Sequence, residues 1–170
     1  LAGFGGGVRV DTLDHVSWPT HGMALSGEAF QLYSIGDEGS DTVQLQASAL
    51  RAFALGQSHL LASVRAGEVR NANDDPIDLI TLGGFRSLSA YAQNAIPTNG
   101  YVYGSLEAYQ RLDRTGAVFN MPVYVGLLLE AAHVELDILG PGEAGATYSG
   151  AVYLGLDTVL GPVILGGGVG

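Results

Sequence analysis

The side chains in this sequence that could do chemistry are few and scattered, and their spacing argues against most of what they could do. Gln57-Ser58-His59 sets a hydroxyl beside an imidazole, the ingredients of an activated nucleophile. Neighbours in an extended chain point to opposite faces, and a nucleophile–base pair is defined by geometry rather than adjacency, so the segment reads as a polar turn. No Gly-x-Ser-x-Gly elbow occurs. His15, His21, His59 and His133 lie in separate segments without metal-ligand spacing, and there is no cysteine, so thiolate nucleophiles and zinc–thiolate sites drop out together. Asn71 to Asp78 is acidic enough to suggest a cation, but it does not follow the EF-hand pattern and reads as a solvated loop. The runs Gly3-Phe4-Gly5-Gly6-Gly7 and Gly166-Gly167-Gly168 lack the strand–glycine–helix context of a phosphate loop. Glu107 and Glu130, with Arg111 nearby, could form an acid–base pair; an interior salt-bridge network suits them better. No catalytic residue, metal or cofactor is expected.

Composition narrows the class further. Only 14% of the 170 residues are charged, against about 25% in soluble domains; glycine, tyrosine and small polar residues fill the gap, a mixture that favours strands and turns over helices. The net charge of −10 leaves no basic patch for nucleic acid. No apolar run approaches the roughly 18 residues of a membrane helix. The chain opens without a charged signal-like segment and begins and stops in strand-like sequence, so residues 1–170 are expected to be one partial domain with both ends truncated.

The elements that must position these residues alternate. Phe4, Val8 and Val10 oppose Arg9 and Asp11; Met23 and Leu25 oppose Ser26 and Glu28; Val43, Leu45, Ala47, Ala49, Phe53 and Leu55 oppose Thr42, Gln44, Gln46 and Ser48. Arg51 breaks that phase, which predicts either a bulge or a position near the end of a span. Further on, Leu60, Ala62, Val64 and Ala66 oppose Ser63, Arg65 and Gly67. Val102, Leu106, Ala108 and Leu112 oppose Tyr101, Tyr103, Ser105, Glu107, Tyr109 and Arg111; Val123, Val125, Leu127, Leu129 and Ala131 oppose Tyr124 and Glu130; Val152, Leu154 and Leu156 oppose Ser149, Tyr153 and Asp157. A last strand is expected from Pro162. That makes about eight segments of about ten residues, the length and period of membrane-spanning β-strands.

The polar face decides between a membrane barrel and a soluble sandwich. All seven basic residues are arginine, whereas soluble sheets commonly guard exposed edges with lysine. An interior network of Arg9, Glu28, Arg65, Glu107, Arg111, Glu130 and Asp157 among tyrosines explains the choice, because arginine makes forked contacts with carboxylates. The fold expected is all-β, a segment of an antiparallel transmembrane β-barrel whose apolar face meets outer-membrane lipid. One connection, Arg70 to Arg86, is long, polar and then glycine-rich, and such loops carry function.

With the strands placed, Leu82-Gly83-Gly84-Phe85-Arg86-Ser87-Leu88-Ser89-Ala90-Tyr91, Tyr109-Gln110-Arg111-Leu112, Pro122-Val123-Tyr124-Val125-Gly126, Leu129-Glu130-Ala131 and Leu156-Asp157-Thr158-Val159-Leu160-Gly161-Pro162 resemble, in this order, the C-terminal surface-antigen barrel attached to bacterial patatin-like phospholipases of the PlpD type, within the BamA/TamA superfamily. The resemblance covers nearly the whole chain and is strongest from Leu79 to Gly168. It implies a barrel of about sixteen strands, of which this chain would be roughly strands eight to fifteen, in the bacterial outer membrane. It also implies that Gly83, Gly84, Phe85 and Arg86 form the tip of a loop folded into the barrel lumen near Glu130. The loop's length, its glycines and the need of Phe85 for burial point the same way, with Arg86 as a charge partner for Glu130. The alternative is an ordinary surface loop with a glycine turn. The broader superfamily carries arginine where Gly83 stands, a departure that favours the patatin-linked branch over an insertase-like role; Glu130 matches the acidic strand motif on which the loop tip docks, although Ala132 sits where glycine is common. The parent would carry an N-terminal hydrolase domain, and its partners would be lipid, the remaining strands, that domain and the outer-membrane assembly machinery. Two alternatives stay open: an assembly or translocation barrel of the BamA/TamA type, and a soluble β-rich binding domain.

Overall fold

The computed structural model describes residues 2–33, 41–71, 79–112, 121–136 and 143–170. Among them there are strands and turns and no helix. The strands are β1 (Ala2–Asp11), β2 (Gly22–Tyr33), β3 (Thr42–Leu55), β4 (Ser58–Asn71), β5 (Ile80–Leu82), β6 (Ile96–Thr98), β7 (Gly100–Leu112), β8 (Val123–Leu136), β9 (Glu143–Thr158) and β10 (Gly161–Val169). Eight of them form one antiparallel sheet in the order β1-β2-β3-β4-β7-β8-β9-β10, and β5 and β6 pair apart from it. The strands of the large sheet run from 9 to 16 residues, where about 5 to 6 is usual in globular proteins. β1 and β10 are both edges, and no ladder joins them.

Every ladder of the large sheet runs without a skipped residue. Thr42↔Asn71 continues to Leu55↔Ser58, and Gly100↔Glu135 to Leu112↔Val123. Arg51 therefore sits in no bulge. It stands five residues before the Gly56 turn, its guanidinium 5.6 Å from the Phe53 ring centroid and its NH1 3.8 Å from Met23 Sδ. Gly56, at φ +69°, opens the two-residue turn that joins β3 to β4, as glycine does at the first central position of such hairpins.

Unbroken register gives the sheet two consistent faces. The outer face carries Val10, Leu25, Leu45, Val64, Val102, Leu106, Leu127, Leu129, Val152, Leu154 and Leu165, all exposed. The inner face carries Leu61, Tyr101, Tyr103, Glu107, Tyr109, Leu128, Glu130, Ser149 and Tyr153, all buried. The core lies against this inner face in two clusters, one around Trp18, Ala52, Leu61, Tyr109 and Tyr153, the other around Leu82, Leu88, Tyr101, Tyr103 and Ala132.

The sheet curls. His15, in the β1–β2 connection, lies with its Nε2 3.6 Å from Asp157 Oδ2 on β9. A flat sheet with strands about 4.8 Å apart would put β1 about 29 Å from β9. The four residues from Asp11 to His15 span at most about 14 Å, too little even with both side chains extended.

Candidate functional site

Two connections, entering from opposite ends of the sheet, cover the inner face. The longer runs from β5 to β6 and holds its own shape. Gly83 N donates to Ser87 O (2.6 Å), Ser87 N to Gly84 O (2.9 Å), Gly84 N to Tyr91 O (3.1 Å) and Arg86 N to Ser89 Oγ (3.1 Å). Its turns use positive φ at Gly83 and Gly84 and also at Arg86 (58°) and Leu88 (73°). A side chain at Gly83 could not fit, because its Cβ would lie 2.3 Å from Ala92 O.

This folding turns three consecutive backbone N–H groups toward the sheet. Leu88 N and Ser89 N donate to the two carboxylate oxygens of Glu130 at 2.9 and 2.6 Å, and Ala90 N donates to Ser149 Oγ at 2.9 Å. Tyr103 donates its hydroxyl to Glu130 Oε1 at 2.6 Å. Beside this, Arg86 grips Glu107 with both arms of its guanidinium, Nε to Oε2 and NH2 to Oε1, each 2.7 Å, the forked geometry that makes such pairs strong. Burial lowers the Arg86 pKa, but the hydrogen bonds and charge of Glu107 outweigh it and push the guanidinium above its ordinary value. Tyr153 also donates its hydroxyl to Glu107 Oε1, and Arg65 NH2 donates to Arg86 O at 2.7 Å. Gly168 leaves room on β10, where a Cβ would lie 3.0 Å from Ser89 O.

The hydrogen bonds to Glu130 thus come from Leu88 and Ser89, just past the expected tip at Gly83 to Arg86, and two expected contacts also differ. Arg86 pairs with Glu107 and not with Glu130, whose charge is met by backbone N–H groups and Tyr103. The loop's buried anchor is Leu88, with no exposure, whereas Phe85 is 39% exposed and stacks edge-on against Tyr153 at 5.1 Å. Size pointed to Phe85; the left-handed turns at Arg86 and Leu88 aim the smaller side chain inward.

The seven-residue network divides. Arg65, Glu107 and Glu130 meet at the loop. Arg9 is exposed and pairs with Asp11 at 2.9 Å, Glu28 and Arg111 are exposed, and Asp157 faces His15 instead. Strand parity does put Arg9 and Glu28 on the inner face, but the loop's hydrogen bonds begin at β4, and among the described residues both side chains stay exposed.

The second connection, residues 12–21, joins β1 to β2 and was not singled out by its sequence, although it holds the sole tryptophan. Trp18 is 2% exposed, stacked on Tyr124 at 4.1 Å and edge-on to Tyr109 at 5.5 Å. Tyr109 donates its hydroxyl to Pro19 O. Asp14 organises the segment, accepting from Thr20 N (2.8 Å), the Thr20 hydroxyl and His21 N (3.1 Å). Burial opposes the Asp14 charge, yet these hydrogen bonds and the neighbouring His21 hold its carboxyl well below the usual range.

Among the described residues the arrangement binds a loop. Each buried carboxylate accepts three hydrogen bonds from protein donors, and the described residues hold no group of three or more metal-ligating side chains. Most of the Asn71–Asp78 stretch lies outside the described residues. A cavity of about 760 Å³ lies elsewhere, along the row Gly7, Glu28, Gln46, Gly67 and Tyr101. No family model and no curated protein matches the chain.

Proposed function

We propose that the chain is part of an outer-membrane β-barrel, serving as the anchor or secretion module of a patatin-like phospholipase. The observation that carries this reading is the outer face. Leu106, Leu129, Leu127 and Val152 are about half exposed on neighbouring strands whose registers set Leu106 opposite Leu129 and Leu127 opposite Val152. Contiguous apolar surface of this extent marks a partner or a membrane, and strands of this length with one apolar and one polar face suit a bilayer crossing. The loop held on the inner face by Arg86–Glu107 and by the Glu130 carboxylate supports the reading of a loop folded into the barrel. This chain supplies no catalytic group of the hydrolase; its partners are lipid, the remaining strands, the hydrolase domain and the assembly machinery.

The test is partition and stability in detergent micelles. The chain is expected to enter micelles, and Leu127→Arg to cost about 2–4 kcal/mol there. A chain that stays soluble without detergent, and is indifferent to Leu127→Arg, overturns the membrane reading in favour of a soluble β-rich domain. Sequence encoded ahead of Leu1 tests the attachment: a Gly-x-Ser-x-Gly hydrolase domain is expected, whereas periplasmic α/β repeats would assign an assembly barrel.

A further inference from the structure

The two connections on the inner face share partners. Tyr153 takes the Phe85 ring edge-on at 5.1 Å and lies 6.3 Å from the Trp18 ring. The Arg86 guanidinium, clamped on Glu107, lies 5.2 Å from the Phe85 ring and 6.0 Å from the Trp18 ring. Glu107 in turn accepts from Tyr153. One connection comes from the end of the sheet that carries the short β3–β4 and β9–β10 turns, the other from the opposite end, and they meet over Arg86, Glu107 and Tyr153.

Residues 12–21 are also built to reach this point. A plain hairpin between β1 and β2 would need only a few residues. Here Asp14 ties residues 14, 20 and 21 together, and the His15 ring accepts at Nδ1 from Ser17 N (3.2 Å) and Trp18 N (3.1 Å), which leaves Nε2 facing Asp157. Gly155 on β9 provides the slot, since a Cβ there would fall 2.1 Å from the far edge of the Trp18 ring.

We propose that residues 12–21 are a latch that secures the 82–91 loop from the opposite end of the sheet, with Trp18 as its bolt, so that each connection seats fully only when the other is in place. Groups that share contacts in one network are energetically coupled, and such coupling is reciprocal. Trp18 positions Arg86 and Tyr153.

The chain offers two reporters without background, its sole tryptophan and, since it lacks cysteine, a single engineered thiol at Ser87→Cys. Removing the loop's grip with Arg86→Ala is expected to shift Trp18 emission to the red and raise its quenching by acrylamide several-fold. In the other direction, Trp18→Ala is expected to speed maleimide labelling of the Ser87→Cys thiol about tenfold, within the usual 5- to 150-fold range of coupled sites. Far-UV circular dichroism confirms that the sheet persists. If Trp18→Ala fails to fold, Gly155→Ala unseats the indole without deleting it and takes its place in the labelling experiment. A folded Arg86→Ala protein with unchanged Trp18 emission and quenching, or unchanged thiol labelling after the latch is unseated, overturns the proposal.

Discussion

At the scale of residues, Glu130 and Leu88 carry the loop, and the sequence disclosed one better than the other. Glu130 was legible as an inward-facing carboxylate from strand parity, and its link to the loop came from the family resemblance. Leu88 was not, because its burial depends on positive φ at Arg86 and Leu88, conformations that leucine and arginine seldom adopt. Glu130→Ala would strand three donors, two of them backbone N–H groups; it is expected to cost on the order of 3 kcal/mol or more, and Glu130→Gln, which keeps one acceptor oxygen, distinctly less. Leu88→Ala should cost about 2–5 kcal/mol as a core truncation, and the half-exposed Phe85→Ala only about 1–2 kcal/mol. Urea midpoints of the four proteins, compared in one detergent, check this order. Asp14 adds a pH dependence. Its folded pKa lies below the ordinary value of 3.8, so its contribution is complete above that value and is lost as pH falls below it toward the folded pKa. Trp18 emission should therefore shift to the red on acidification through this window, and Asp14→Asn should show the shifted emission already at neutral pH.

At the scale of elements, alternation revealed the eight long strands and their faces, because a half-buried strand must repeat every two residues. It could not reveal β5 and β6, which are three residues each and too short to show a period. Nor could it say which part of the inner face is covered. That depends on where a loop lands, which is why Arg65, Glu107 and Glu130 converge while Arg9, Glu28, Arg111 and Asp157 do not. Glycines divide instead by face, Gly126 inward and Gly27 outward. At Gly126 a Cβ would fall 2.2 Å from the Tyr153 ring, whereas at Gly27 it would meet nothing within 4 Å. Gly126→Ala is expected to destabilise by about 1–3 kcal/mol through forced repacking. Gly27→Ala should be neutral or slightly stabilising, because it restricts the unfolded chain. Thermal midpoints of the two variants in detergent read the difference directly.

At the scale of the whole molecule, the sheet has two unpaired edges in β1 and β10, and both expose apolar side chains such as Phe4, Val8, Leu165 and Val169. Open edges seek strands. The isolated chain is expected to form cross-linkable multimers in micelles, and a monodisperse, heat-resistant monomer would show that the edges find each other. The hydrogen bonds that seat the loop imply an order of events in time. Most ladders of the sheet join strands next to each other in the chain, whereas Glu130 and Ser149 hold residues 41, 42 and 59 positions away. Their acceptors stand on β8 and β9, which must already be paired before both can face the same loop. Local contacts form first and distant ones wait on loop closure, so hairpins zip early and the 82–91 loop docks last. Until it docks, Glu107, Glu130 and three backbone N–H groups lack these partners, and a newly made chain is then at its most exposed to proteases and to wrong strand pairing.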